Sequence, residues 1–267
     1  MRKFPVAISL LALSLAACGG DDEPQQFAPP TVIEDPLAYF GMAPCSCFEY
    51  APADEWAQGK ETFSAKLGVA VERLGGERLL DRNYHLVRYR VVGTLNEVVR
   101  EEYLDPTDPD LLVAGVNVTG RRNDPVLRLD PPASLVRGPA EEMELVRSKT
   151  DISERAPAAE EEPAESESTE LIVQYRDEEE VEIGYWDAIE QSYLRETVRA
   201  IPISYRGVEG LRNDHVRWFV PGTGFVKLRM EHRGEKNEWV LINTRMLDPG
   251  SCDYDGGTSE PIDHCGT

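Results

Sequence analysis

Toward the end of the chain, apolar and polar residues alternate. Val226, Leu228 and Met230 are interleaved with Lys227, Arg229 and Glu231, the period of two that turns one face of a strand to a core and the other to water. Residues 239–245 read as a second strand after the turn-forming Gly234-Glu235-Lys236-Asn237. Upstream, residues 216–220 reach the first of these strands through Pro221-Gly222-Thr223-Gly224, and residues 193–205 precede them across Gly207 and Gly210. The whole of 193–247 therefore predicts a four-strand antiparallel meander.

The first half has the same texture. Residues 62–73, 84–92, 97–103, 111–118 and 126–129 are strand-like, separated by Gly75-Gly76, Gly93, Asp105-Pro106 and the polar stretch 120–124. Residues 171–175 and 181–186 read as a strand pair around an acidic turn at 176–180. Helical periodicity is weak, and its best stretch is 141–148. Between the halves, residues 151–170 hold eight acidic residues and one arginine among Ala, Pro and Ser, with Ile152 as the one large aliphatic. Such a segment cannot bury enough apolar surface to fold. The expectation is an all-β domain over residues 37–247 with at most a short helix: a curved antiparallel sheet, as a half-barrel or sandwich, interrupted by a disordered acidic insert at 151–170. An acidic, cysteine-containing tail follows at 248–267.

The beginning of the chain has a different character. Met1-Arg2-Lys3 is basic and residues 4–17 are almost wholly apolar, a run of 14 residues where a membrane-spanning helix needs about 20. This reads as an export signal. Leu15-Ala16-Ala17-Cys18 resembles the lipobox of bacterial lipoproteins, which implies removal of residues 1–17 and acylation of the Cys18 thiol. The acyl chains would hold the protein to a membrane, and Gly19 in the place after the cysteine favours the outer one. Residues 18–36, rich in Gly, Pro and acid, read as a flexible tether.

Four cysteines remain after export: Cys45, Cys47, Cys252 and Cys265. In an oxidising compartment an even count argues for two disulfides. Three connectivities are open; a Cys45–Cys47 bond is the least comfortable, since residues two apart in extended chain sit near the upper limit of Cα separation. Pairing of both N-terminal cysteines with the C-terminal two would staple the ends of the domain together.

Charge narrows the partners. Loss of Arg2 and Lys3 with the signal leaves 26 basic against 49 acidic residues, a net charge of −23. A chain so negative repels phosphate backbones and anionic head groups, which excludes nucleic acid as a partner and leaves membrane attachment to the lipid.

A second resemblance rests on Trp218-Phe219-Val220-Pro221-Gly222-Thr223-Gly224-Phe225-Val226-Lys227. This run is similar to a W-[FY]-x-P-G-x-G-x-V-[KR] hairpin of uncharacterised bacterial envelope lipoproteins, with Phe48-Glu49-Tyr50 resembling their early aromatic-x-Tyr. The chain departs from them near 136–142, where Arg137-Gly138-Pro139 stands in place of Gly-x-x-Trp. The resemblance implies kinship with LolA/LolB-type half-barrels, whose curved sheet shelters apolar ligands. Physically the motif is a turn, with Gly222 and Gly224 supplying backbone freedom at Pro221 and Trp218 packing on the sheet.

Catalytic motifs are absent: there is no nucleophile elbow, no paired-histidine zinc helix and no phosphate-cradling loop. The histidines, His85, His215, His232 and His264, show no spacing that points to a triad, so the chain reads as a non-enzyme. Zinc held by Cys45, Cys47, Cys252, His264 and Cys265 conflicts with oxidation of the thiols. Calcium at Asp253, Asp255 and Glu260 has carboxylates near Gly256-Gly257 but an incomplete loop spacing; no cofactor is expected. The functional expectation is a binding or carrier module for an apolar ligand. The alternative is a structural or protein-interaction lipoprotein of the envelope whose interior is filled by its own side chains.

Overall fold

The computed structural model describes residues 33, 35–74, 84–92, 97–107, 110–117, 126–138, 145–155, 166–208, 215–232, 235–247, 253–254 and 265. In chain order these are helix α1 (Pro36–Tyr39), strand β1 (Ser46–Pro52), helix α2 (Ala53–Ala57), β2 (Lys66–Leu74), β3 (His85–Val92), β4 (Glu97–Pro106), β5 (Asp110–Asn117), β6 (Val126–Arg137), β7 (Leu145–Arg155), β8 (Glu167–Tyr175), β9 (Glu179–Asp187), β10 (Ser192–Arg206), β11 (Val216–Val220), β12 (Gly224–His232), β13 (Glu235–Met246) and the two-residue β14 (Asp253–Tyr254).

The protein is all-β, as its alternating pattern predicts, and its curved sheet bends all the way round. From β2 to β8 each strand pairs antiparallel with the next. β8 then pairs with β10, and β10 to β13 continue the meander. β1 lies between β13 and β2, pairing Tyr50 with Leu241 on one side and with Leu67 on the other. That double pairing closes a ring of twelve strands, which removes the free edges a half-barrel would leave.

β1 is buried on both faces over residues 46–51. Phe48 and Tyr50 point into the barrel, while Cys47 and Ala51 lie on its outside under cover. Its sequence, with a cysteine, a glutamate and a proline, shows no clean alternation for that reason.

Four sequence expectations change. Residues 145–148, read as helix, begin strand β7; Val146 is buried while Leu145 and Arg147 are exposed, a period-two pattern set by pairing with β8. The insert expected at 151–170 shrinks from both ends. Residues 151–155 and 167–170 are strand, because Asp151 pairs with Ser168 and Ile152 with Glu167; residues 156–165 lie outside the described residues. The tether expected to run to residue 36 is also shorter, since Ile33 is buried in the core and the Asp35 carboxylate caps α1 by accepting from the Ala38 N–H at 3.2 Å.

The last correction shapes the surface. β8 and β9 were expected to pair with each other; instead they run in line along β10, which is 15 residues long. The final residues of β10 pair with β8, whereas Ser192–Ala200 pair with β9. Arg176-Asp177-Glu178 form the offset between the two, with the Arg176 N–H on the Pro202 carbonyl at 3.0 Å. Beyond that bend, β9 and the first half of β10 leave the wall as a two-stranded ribbon.

The ribbon lies against the outside of β13, where Val240 and Ile242 are buried. Helix α2 packs there too. Trp56 meets Phe63 and Tyr193 at centroid distances of 6.3 and 5.9 Å, and Tyr193 meets Trp186 at 5.0 Å. The Arg195 guanidinium stacks 3.9 Å above the Trp56 ring and donates to the Trp56 carbonyl at 2.8 Å.

Candidate functional site

A barrel of twelve strands encloses more space than the eight-stranded barrels that side chains fill readily. Here that space is taken by large residues. Tyr39 and Phe40 of the α1 segment pack on Phe219 at 5.8 and 6.1 Å. Tyr50 crosses the interior from β1 to donate to the Phe225 carbonyl of β12 at 2.7 Å. What remains beside Phe48, Tyr50, Val71, Tyr89, Phe225 and Leu228 is a cavity of about 10 Å³, the space of a single water molecule.

Deeper in the barrel is an ionic cluster that no sequence pattern announced. Arg100 and Glu102, two apart on β4, share the inward face. Arg217 enters from β11, and its guanidinium grips Glu102 with two bonds, one to Oε2 at 2.9 Å and a shorter one to Oε1. Arg100 Nε donates to Glu102 Oε1 at 2.6 Å, and the Tyr89 hydroxyl donates to Oε2 at 2.8 Å. Arg100 also reaches His215 Nδ1 at 3.2 Å. Burial opposes charge on Glu102, yet the two guanidiniums and the Tyr89 hydroxyl hold its carboxyl well below the usual carboxylate range. Burial pushes the Tyr50, Tyr89 and Tyr205 phenols well up.

The intervening residue, Glu101, faces outward with Arg88 and Glu72. Arg88 Nε donates to Glu101 at 2.9 Å and its NH1 lies 3.5 Å from Glu72, all three buried. In sequence these strands carry charges at the positions that alternation assigns to solvent. Register alone reveals that Arg88 stands opposite Glu101.

The Trp218 motif forms a turn. Gly222 and Gly224 have φ of +80° and +95°, values a side chain resists. The Gly222 N–H donates to the Tyr39 carbonyl at 2.8 Å, so the turn also seats α1. Trp218 lies on the outer face under Lys227, whose Nζ is 4.4 Å from the ring centroid. Its indole N–H donates to Glu179 Oε2 at 2.8 Å, fastening the base of the ribbon to the wall.

Cys47 is bonded to Cys265. Cys45 is also in a disulfide, which rules out a Cys45–Cys47 bond. Cys252 and Cys18 lie outside the described residues, as do Asp255 and Glu260 and the whole signal segment. The backbone of Asp253 lies in β14, paired in parallel with Arg73 of β2. His85 opens β3, and His215 precedes β11 with its Nδ1 3.2 Å from the Arg100 guanidinium.

No family model matches the sequence, and no curated protein does. Among solved structures, a Bacteroides fragilis protein described as having a YmcC-like fold aligns with 78% of this chain and 98% of its own length, at 10% identity and a TM-score of 0.35. A likeness at that level carries no argument about what this chain does.

Proposed function

We propose that the protein is an envelope lipoprotein, anchored through Cys18, whose barrel is a solid scaffold for contacts with other envelope proteins. The observation that carries this reading is the close packing of the described interior around Phe48, Tyr50, Tyr89 and Phe225. A carrier of an acyl ligand needs a pocket of roughly 300–1,000 Å³, whereas the cavity beside Phe48, Tyr50, Tyr89 and Phe225 is about 10 Å³. The ionic cluster around Glu102 makes the remaining interior a poor solvent for hydrocarbon. The Cys47–Cys265 bond fits an oxidising compartment, in keeping with the export signal at residues 1–17.

The test is the native mass of the full chain, purified from an envelope in mild detergent, compared with the denatured mass. The scaffold reading expects the native and denatured masses to agree after detergent removal, apart from the covalent acyl chains on Cys18. Co-purified lipid in stoichiometric amount would overturn it and restore the carrier. Cys18→Ser separates the anchor from the scaffold: loss of the acyl mass with release from the membrane fraction is expected, and a variant that stays membrane-bound would refute anchoring at Cys18.

A further inference from the structure

Among the described residues, the ribbon carries four of the six exposed large apolar side chains. Ile189 at its tip is 90% exposed and Leu194 54%, with Trp186 and Tyr185 partly open beside them. The strand beside them is incompletely paired. Trp56 Nε1–H donates to the Glu182 carbonyl at 3.1 Å, so the Glu182 main chain points away from β10. Glu182 stands opposite Thr197. In an antiparallel ladder the main chains of opposed residues point the same way relative to the pair. Tyr193, Arg195, Thr197 and Arg199 therefore aim their N–H and C=O groups outward, away from β9. On that side of β10 the barrel partner, β11, begins only at Ile201. Among the described residues nothing pairs with 193–199 on that side, and residues 194–197 are all exposed.

We propose that the outer edge of β10, residues 193–199, is a docking strand for an extended, lysine- or arginine-bearing segment of another envelope protein. The mode is strand addition. Main-chain bonds to Tyr193, Arg195, Thr197 and Arg199 supply affinity, and the exposed Leu194 takes an apolar side chain of the incoming strand. An unprotected strand edge invites association, and proteins that do not use such an edge cover it or charge it with lysine. This one holds no lysine. Its own arginines are engaged, Arg195 with Glu182 and Arg199 with Glu178.

Charge selects the partner. Residues 176–199 hold eight acidic residues against three arginines, a net charge of −5. Anionic bilayers and a second copy of this acidic chain are both repelled, whereas a basic segment is attracted and steered. The inference rests on the scaffold reading above, and the two fail separately. Bound lipid inside the barrel would sink the scaffold whatever the ribbon does; absence of peptide binding would sink the docking strand and leave the filled barrel as it is.

The experiment uses the full chain in mild detergent and a fluorescent peptide of alternating lysine and valine, followed by anisotropy. The expected result is saturable binding that weakens as salt rises, with no saturable binding of a glutamate–valine peptide. Thr197→Pro removes one outward N–H without touching the bonds to β9, and Leu194→Lys adds a repelling charge at the edge. Each should weaken binding by about tenfold or more while circular dichroism and melting stay near wild type. Where the proline variant melts early, Leu194→Lys alone decides. Binding unchanged in Leu194→Lys, or equal binding of a scrambled lysine–valine peptide, would overturn the proposal. Cosedimentation with zwitterionic phosphatidylcholine vesicles that depends on Trp186 and Ile189 would reassign the ribbon to a bilayer. A concentration-dependent dimer lost on Leu194→Lys would reassign it to self-association.

Discussion

Gly184 of the ribbon sits directly under the Trp56 indole: a methyl group on Gly184 would stand 2.6 Å from Cη2 of that ring and 3.3 Å from the Ile242 Cα. Two parts of the chain more than a hundred residues apart meet there with no room for a side chain. Gly184→Ala is expected to lift the ribbon off β13 and cost about 1–3 kcal/mol through overpacking. Thermal unfolding should show the loss, and Trp fluorescence should shift to the red as Trp56 becomes wet. An alanine variant as stable as wild type would mean the ribbon is not clamped at this point.

The Glu102 cluster gives a prediction of larger size. Glu102→Gln leaves Arg100 and Arg217 buried without their shared carboxylate, so destabilisation of about 3–5 kcal/mol is expected. Urea titration measures it. Arg217→Met together with Glu102→Leu should recover part of the loss, because one buried guanidinium, that of Arg100, is then left without the carboxylate instead of two.

The same cluster sets an acid limit. The folded Glu102 carboxyl lies below its unfolded value of about 4.3, so its contribution to stability is complete above that value and declines as pH falls toward the folded one. Melting temperature should drop below about pH 4, with a shallower slope in Glu102→Gln than in wild type. An equal slope in both would assign the acid limb to other carboxylates.

At the alkaline end the sign reverses. Burial raises the Tyr89 phenol above its unfolded value of about 10. Its contribution is complete below that value and is lost as pH rises past it. Tyr89→Phe should show a flatter decline above about pH 10, at the cost of one hydrogen bond to Glu102.

The disulfide closes 218 residues and ties the C-terminal tail to β1. Chain entropy predicts that Cys47→Ser with Cys265→Ser costs about 4–5 kcal/mol, a fall in melting temperature of roughly 10–20 °C for a domain of this size. Reductant on the wild type should lower the melting temperature at least as far, because it also opens the disulfide at Cys45.

Alternation made most strands readable. β3, β10, β11 and β13 match their expected spans within a few residues, because residues 86–91, 200–205, 216–220 and 239–242 each bring apolar side chains to the core. β1 and β7 escaped. β1 is covered on both sides, and Leu145 at the start of β7 is exposed; neither shows the contrast that alternation relies on. The interior charges escaped for a related reason. Arg100, Glu102 and Arg217 look like solvent positions until a ring of strands turns them toward one another.

By itself the sequence determined the period-two texture of the chain, its acidic balance, the turn at Pro221-Gly222-Thr223-Gly224, and the cysteines near both ends. These are local properties, fixed by side-chain size, charge and backbone freedom within a few residues. Only the tertiary structure decided that β1 closes the sheet into a barrel, that Glu102 unites two arginines from different strands, and that β9 follows β8 along β10 instead of folding back on it. Each of those depends on register between segments far apart in the chain. Register is set by which pairing buries the most apolar surface while satisfying every main-chain bond, a sum over the whole molecule that no short stretch contains.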